Sequence, residues 1–221
     1  MNKPVKRGTA TPTIVQSGLI LAVVAAICTT LVALTFNLTR GRIVANEQAF
    51  LQQSLAPVLA GISFDNDLSA SAYVLPAPHV LPGTEDAVIY PLLAGDKPVA
   101  ALFVVTATDG FVGPIKLLIG VAFDGVVTGV RALEHKETPG IGDGIDANRS
   151  DWIYVFAGTS LEAPDRAAWS IKRDDGAFDQ LTGASVTSRA VVNAVDLTLR
   201  YFEVNREQIF TARAASGQAD D

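Results

Sequence analysis

The sequence predicts an α+β protein: one N-terminal transmembrane helix, then an extramembrane domain in which an antiparallel sheet is packed by helices. Three observations support this prediction. An uncharged apolar segment lies near the N-terminus, four segments rich in β-branched residues follow it, and an apolar stripe at helical spacing lies near the C-terminus. A chain of 221 residues has room for these elements around one core, but not for two full domains.

The apolar segment predicts a membrane anchor. Residues 8–39 contain no charged side chain, and residues 17–36 within them are almost wholly apolar. As an α-helix this shorter stretch is about 30 Å long, which matches the hydrocarbon core of a bilayer. A cleaved signal peptide is the alternative, but its apolar region is usually shorter and ends at a small-residue cleavage site. We therefore predict a retained transmembrane helix over residues 15–38.

The charges that flank the helix predict its orientation. Lys3, Lys6 and Arg7 precede it, and Arg40 and Arg42 follow it. This bias places residues 1–14 in the cytoplasm, by the positive-inside rule. The remainder of the chain is then expected in the periplasm, held at a bacterial inner membrane by a single pass through the lipid bilayer.

Composition excludes several classes of partner. The net charge of −6 argues against nucleic acid, because phosphate binding needs a basic face. A single cysteine, Cys28, excludes an intrachain disulfide and a cysteine-based cluster, and His79 and His135 are too few for a zinc site of the common kind. No metal is therefore expected.

The segment after the anchor, residues 39–86, is predicted to be a stalk helix followed by an irregular linker. Apolar residues recur at roughly helical spacing over residues 42–59. Residues 63–86 are rich in proline, serine, alanine and aspartate, which indicates irregular chain with one short strand at most.

Residues 87–210 are predicted to form the folded domain. Four strands are expected at residues 87–93, 99–106, 115–123 and 126–133, and the Asp124-Gly125 pair predicts a hairpin between the last two. Residues 152–156 fit a short helix or strand, and residues 168–172 fit a further strand. Thr187 or Ser188 is expected to cap a helix that ends near Phe202, and residues 211–221 are expected to be a flexible tail.

The first of two glycine-rich stretches follows the last predicted strand. It contains Glu137, Thr138, Pro139, Gly140 and Gly142. Proline fixes φ and glycine permits conformations that other residues avoid, so such a loop brings main-chain N–H groups close to a flat or anionic ligand. A tight surface turn is the alternative, and composition alone favours it. The glycine spacing matches no nucleotide-binding fingerprint.

The second stretch lies just before the C-terminal helix. Thr182, Ser185, Thr187 and Ser188 surround the small pair Gly183-Ala184. A helix N-terminus offers unpaired N–H groups and a partial positive charge, which suit a phosphate. A capped helix start with spare hydroxyls is the alternative.

Both stretches resemble motifs of one protein family. Residues 179–185 (DQLTGAS) resemble the D-x-x-[S/T]-G-A-[T/S] motif of FMN-binding domains that a flavin transferase modifies, and residues 135–142 (HKETPGIG) resemble a second segment of the same domains. Together with residues 150–153 and 190–195, they are most similar to the G subunits of the Rnf electron-transport complexes. The related C subunits of the sodium-pumping NADH:quinone reductases are the nearest alternative family.

The resemblance implies a covalent FMN. In this family the hydroxyl at the last motif position, here Ser185, is esterified to the FMN phosphate. The usual acceptor is threonine, so Thr187 stays open as the alternative. The resemblance also implies that Thr182, Gly183 and Ala184 lie near the phosphate, and that the loop of Glu137, Thr138, Pro139, Gly140 and Gly142 shapes the flavin site.

The implied function is that of an electron carrier. The complex moves electrons between ferredoxin and NAD and couples that flow to Na⁺ or H⁺ translocation, and this chain would relay electrons through FMN. Other membrane and peripheral subunits are then its partners, because this chain has no complete active site and no catalytic residue of its own. A membrane-anchored periplasmic scaffold without redox function is the competing hypothesis.

Overall fold

A computed structural model describes residues 11–59 and 61–216 of the chain. The chain divides into two compact units, an N-terminal one that ends at Phe50 and a folded one that begins at Leu51. The first unit consists of most of helix α1, which runs over Thr11–Val58.

The apolar part of α1 has the properties of a membrane span. Its segment Gln16–Arg40 has a mean hydropathy of 2.6, and none of it is buried within the protein. Thr29, Thr30 and Thr35 donate their hydroxyls to carbonyls four residues earlier, at 2.7–2.8 Å. Their polar groups are therefore satisfied within the helix, as an apolar solvent requires. The predicted apolar N-terminal helix is confirmed.

The folded unit is built on a five-stranded antiparallel sheet. Neighbouring strands follow one another in chain order, a pattern that short hairpin connections produce. The strands are β1 (Tyr73–Leu75), β2 (Ala87–Ala94), β3 (Lys97–Ala107), β4 (Ile115–Ala122) and β5 (Val127–Glu134). The four predicted strands are confirmed as β2 to β5.

Helices cover both faces of the sheet. On one face the end of α1, through Val58 and Leu59, packs with Leu102 of β3. On the other face helix α3 (Ser185–Ser216) packs against the sheet, and the rings of Phe103 and Phe202 meet edge to face at 6.2 Å. Because both faces are covered, successive residues from Ala100 to Val105 are all buried. The predicted architecture of an antiparallel sheet packed by helices is confirmed.

Two glycines allow α1 to approach the sheet closely. Gly120 and Gly129 pair across β4 and β5. A Cβ on Gly120 would lie 2.2 Å from Oγ1 of Thr128 and 2.6 Å from Cγ1 of Val58, and one on Gly129 would lie 3.0 Å from Cα of Val58. The absence of side chains at this pair therefore sets the distance between the helix end and the sheet.

We expect Gly120→Ala to destabilise the folded unit by about 1–3 kcal/mol, because overpacking a filled core forces its neighbours to shift. The free energy of unfolding of the full chain in detergent, from denaturant titration, measures the effect. Gly113→Ala is the matched control, because a Cβ there would meet nothing within 4 Å. Equal midpoints for the two variants would contradict this account.

The turn between β4 and β5 has the predicted form. Ala122 donates its N–H to the carbonyl of Val126 at 2.8 Å, and Gly125 has a φ of +92°. An L side chain rarely adopts that φ, so glycine suits this position. The hairpin predicted from Asp124-Gly125 is confirmed.

The segment predicted as stalk and linker contributes to the fold. Its helical part continues α1 to Val58, and the remainder contains helix α2 (Leu68–Ser71) and strand β1, which pairs with β2 through Tyr73 and Ile89. The side chain of Asn66 donates to the carbonyl of Pro91 at 2.9 Å. The single short strand that the sequence allowed within residues 63–86 is β1.

The prediction of a strand at residues 168–172 is wrong. The region consists of 3₁₀ turns, namely Trp152–Phe156, Arg166–Ala168 and Lys172–Asp174. Trp169 and Ile171 alternate with polar residues, as residues of a strand do, and both are buried. The backbone around them, however, forms mostly local hydrogen bonds and no strand. Residues 152–156, predicted as a short helix or strand, form the first of these 3₁₀ turns.

Helix α3 begins earlier and ends later than predicted. It starts at Ser185, so Thr187 and Ser188 lie inside it. It continues past Phe202 to Ser216 because the apolar stripe continues: Ile209 is buried, and the ring of Phe210 packs on Phe202 at 6.4 Å. Residues 211–216 of the predicted tail are therefore helical, and residues 217–221, like residues 1–10 of the predicted cytoplasmic segment, lie outside the described part of the chain.

Candidate functional site

The two glycine-rich stretches meet at one cavity of about 360 Å³. That volume lies within the range of small-molecule and cofactor sites. The cavity is lined by Phe111 from the β3–β4 loop, by residues from the two stretches, and by one residue of a 3₁₀ turn. The lining residues are Phe111, Glu137, Thr138, Ile141, Gly142, Arg173, Gly183, Ala184, Ser185 and Val186.

The first stretch forms a compact turn around one carbonyl. The carbonyl of Thr138 accepts the N–H groups of Ile141 at 3.1 Å and of Gly142 at 2.9 Å. Gly140 has a φ of +77° and donates its N–H to Oδ1 of Asp143 at 2.8 Å. Of the predicted residues of this loop, Glu137, Thr138 and Gly142 line the cavity, whereas Pro139 and Gly140 are exposed and shape the turn.

The second stretch brings the start of α3 to the same cavity. Gly183 has a φ of +80°, and a Cβ placed on it would lie 3.4 Å from Cγ2 of Ile141, so the two stretches are in contact. Ser185 is the first residue of α3, where the backbone N–H groups of a helix lack intrahelical partners. Gly183, Ala184 and Ser185 line the cavity, and Thr182 is exposed outside the lining.

A buried carboxylate ties three segments together at the base of the cavity. Glu137 is 4% exposed and Thr187 is fully buried. The hydroxyl of Thr187 donates to Oε2 of Glu137 at 2.6 Å, and the N–H of Val112 donates to Oε1 at 3.1 Å. A Cβ on Gly142 would lie 3.0 Å from Oε2, so the carboxylate packs tightly against this glycine. The hydrogen bonds join the β3–β4 loop, the first stretch and α3.

The structure separates the two candidate acceptors. Ser185 is partly exposed and lines the cavity, and its Oγ lies 3.5 Å from Nη1 of Arg173. Thr187 is fully buried, and its hydroxyl is engaged with Glu137. Of the two hydroxyls, the one on Ser185 is open to a ligand in the cavity.

Arg173 is a site residue that sequence analysis missed. It belongs to the 3₁₀ turn Lys172–Asp174 and lines the cavity. The adjacent Asp174 accepts two hydrogen bonds from Arg189 of α3, at 2.6 and 3.0 Å. These bonds hold the pKa of Asp174 below its ordinary value. No motif spacing links Arg173 to Ser185, and only the folded turn brings them together.

Apolar side chains form the other part of the cavity wall. Phe111, Ile141 and Val186 are 68%, 49% and 41% exposed, although large apolar residues are usually buried. Phe111 was not predicted either, because it stands in a loop without a recognisable motif. A cation, a free hydroxyl and a helix N-terminus suit a phosphate, and an apolar wall suits a flat ring. The residues present therefore fit a flavin mononucleotide.

Family profiles match two parts of the chain. A profile described as FMN-binding domain matches residues 110–200, a range that contains all ten residues of the cavity lining. A second profile, described as RnfG N-terminal region, matches residues 1–58.

Curated relatives resemble nearly the whole chain. A protein of Escherichia coli strain K12 is 45% identical over 185 residues, which are 83% of this chain and 88% of the relative. A protein of Cronobacter sakazakii is 43% identical over 201 residues (90% and 95%), and one of Shewanella oneidensis is 40% identical over 198 residues (89% and 93%). Each is named as the G subunit of an ion-translocating oxidoreductase complex.

Proposed function

This chain belongs to the family of G subunits of ion-translocating oxidoreductase complexes, and we propose that it relays electrons through an FMN esterified to Ser185. As a family member it is a membrane-anchored flavoprotein component of a redox complex, with FMN as its cofactor. The observation that carries the proposal is the position of Ser185, whose partly exposed hydroxyl lies at the start of α3 and on the wall of the cavity.

The covalent linkage is supported by the environments of the two candidate hydroxyls. Ser185 faces the cavity and Arg173, whereas the hydroxyl of Thr187 is buried against Glu137. An ester between a hydroxyl and a phosphate needs an activated phosphate donor, and a flavin dinucleotide is one. The Oγ of Ser185 would form the new bond to phosphorus, the bond between the two phosphates would break, and a nucleoside monophosphate would leave while the hydroxyl proton is released. A flavin transferase would catalyse this maturation.

The cavity residues divide into two groups by chemistry. The N-terminus of α3, with Gly183 and Ala184, would lie at the phosphate, because it offers partial positive charge and close main-chain approach. Phe111, Ile141 and Val186 would contact the ring system. When bound, FMN supplies the electron-transfer chemistry, and the protein determines its orientation, its hydrogen bonds and its access to solvent.

At the level of the complex, we propose that this chain works between ferredoxin and NAD in a system that translocates Na⁺ or H⁺. Other subunits would supply the ion path, because residues 17–36 of the anchor carry no acidic or basic side chain. The basic residues before the anchor support an inner-membrane orientation with the N-terminus in the cytoplasm and the folded unit in the periplasm.

The proposal is tested on protein produced together with its flavin transferase. We expect the denatured protein to remain yellow and to fluoresce in a gel. An ester-linked flavin stays attached when the protein unfolds, whereas a noncovalently bound flavin dissociates. Mass mapping of the tryptic peptide 174–189 should find the mass of FMN less one water on Ser185. A colourless protein whose peptide is bare on every molecule would favour an anchored scaffold without redox function.

A further inference from the structure

Arg173 is an exposed cation in the wall of the cavity. Its Nη1 lies 3.5 Å from Oγ of Ser185, which is long for a hydrogen bond. Arg149, Arg166, Lys172, Arg189 and Arg200 each form an ion pair, but Arg173 forms none with the side chains that the structure describes. Among the described residues it is also the only cation in the lining of the cavity.

The turn that carries Arg173 is fixed by its backbone. Lys172 donates its N–H to the carbonyl of Phe178 at 2.7 Å, and Asp174 and Gly176 donate theirs to the carbonyl of Ile171 at 2.8 and 3.0 Å. A Cβ on Gly176 would lie 2.0 Å from the carbonyl oxygen of Ser170, so the chain passes where only glycine fits. The position of the Arg173 backbone is therefore determined by the fold.

An ion pair attaches the same turn to α3. Asp174 follows Arg173 directly, and its two carboxylate oxygens accept bonds from Nε and Nη2 of Arg189. Arg189 lies four residues after Ser185, which is about one helical turn. This two-bond geometry fixes both the distance and the orientation of the turn relative to the start of the helix.

We propose that Arg173 is the phosphate-binding residue of this site, and that the Asp174–Arg189 pair is the positioning element that holds it beside Ser185. This inference rests on the proposed attachment of FMN at Ser185. A guanidinium forms two parallel hydrogen bonds to phosphate oxygens, so Arg173 would orient the incoming phosphate towards Oγ of Ser185 and offset its negative charge. Arg189 would affect phosphate binding only by holding Asp174, and with it the turn that carries Arg173.

The test is the rate of covalent flavin incorporation into purified full-length protein by the transferase, followed by fluorescence in a denaturing gel. We expect Arg173→Ala to slow incorporation at least about tenfold, and Arg173→Lys to retain part of the rate, because an ammonium keeps the charge and loses the paired geometry. Arg200→Ala is the matched control. It removes an exposed arginine of α3 whose ion pair with Asp196 lies within the helix, and it should react as the unmodified chain does.

Two further measurements separate phosphate binding from a merely structural role. Added salt should slow flavin incorporation into the unsubstituted chain and into Arg200→Ala more than into Arg173→Ala. The reason is that salt screens the attraction between the charge of Arg173 and the phosphate, and Arg173→Ala lacks that charge. Arg189→Ala should slow incorporation less than Arg173→Ala, and adding it to Arg173→Ala should produce no further loss, because its effect passes through Arg173.

The outcomes distinguish this inference from the proposed function. If the unmodified chain gains no covalent flavin, the attachment itself is wrong. If it is labelled and Arg173→Ala is labelled at the same rate with the same salt dependence, the role of Arg173 is overturned while the attachment stands. Additive losses in Arg173→Ala and Arg189→Ala would overturn the positioning role of the ion pair.

Discussion

Replacement of Ser185 by alanine is expected to remove all covalent flavin while the folded unit keeps its structure. The side chain is partly exposed at the first residue of α3, and its only described hydrogen-bond contact is the long one to Arg173. Its loss should therefore change the free energy of unfolding by no more than about 1 kcal/mol. Gel fluorescence and the mass of peptide 174–189, measured beside thermal unfolding, separate loss of attachment from loss of fold.

Two variants serve as controls for this result. Ser185→Thr should keep covalent flavin, because the hydroxyl remains at the same position and threonine is the usual acceptor in the family that the motif resembles. Thr211→Ala should also keep it, because Thr211 lies far along α3 from Ser185, is exposed, and donates its hydroxyl to the carbonyl of Glu207 in its own helix. If Ser185→Ala keeps its flavin and Thr187→Val loses it, the acceptor is Thr187.

The sheet could be predicted because its strands carry strong local signals. Strands β2 to β5 are rich in β-branched residues, and Asp124-Gly125 alone predicts the hairpin between the last two. Strand β1 has three residues, and its pairing with β2 depends on contacts that a local pattern does not contain. At residues 168–172 a strand was wrongly predicted, because alternating apolar residues indicate which side chains are buried but do not determine the backbone conformation.

The candidate site was predictable only where its residues follow one another in the chain. The two motifs include Glu137, Gly142 and Ser185, and the structure brings these segments to one cavity. Phe111 and Arg173 come from other loops and belong to no motif, so only the packing of the turns places them there. Sequence spacing also could not decide between Ser185 and Thr187, because burial and the hydrogen bond to Glu137 make the difference.

The hydrogen bond between Thr187 and Glu137 leads to the second large expected effect. Thr187→Val keeps the shape of the side chain and removes the donor, which leaves Oε2 of a buried carboxylate without its described partner. We expect the free energy of unfolding to fall by about 3 kcal/mol, because an unsatisfied buried charge costs more than a neutral group. Thr198→Val is the matched control. Thr198 is equally buried in α3, but it donates to the carbonyl of Ala194 in its own helix.

A second substitution tests whether the charge of Glu137 causes that loss. In Glu137→Gln the amide oxygen still accepts the N–H of Val112, and the amide NH₂ donates to the hydroxyl of Thr187, so the single variant should lose less than about 1 kcal/mol. Added to Thr187→Val, it should restore part of the lost stability, because a neutral amide without a partner is less costly to bury than a carboxylate. Additive losses would show that the hydroxyl of Thr187 stabilises the site independently of the carboxylate of Glu137.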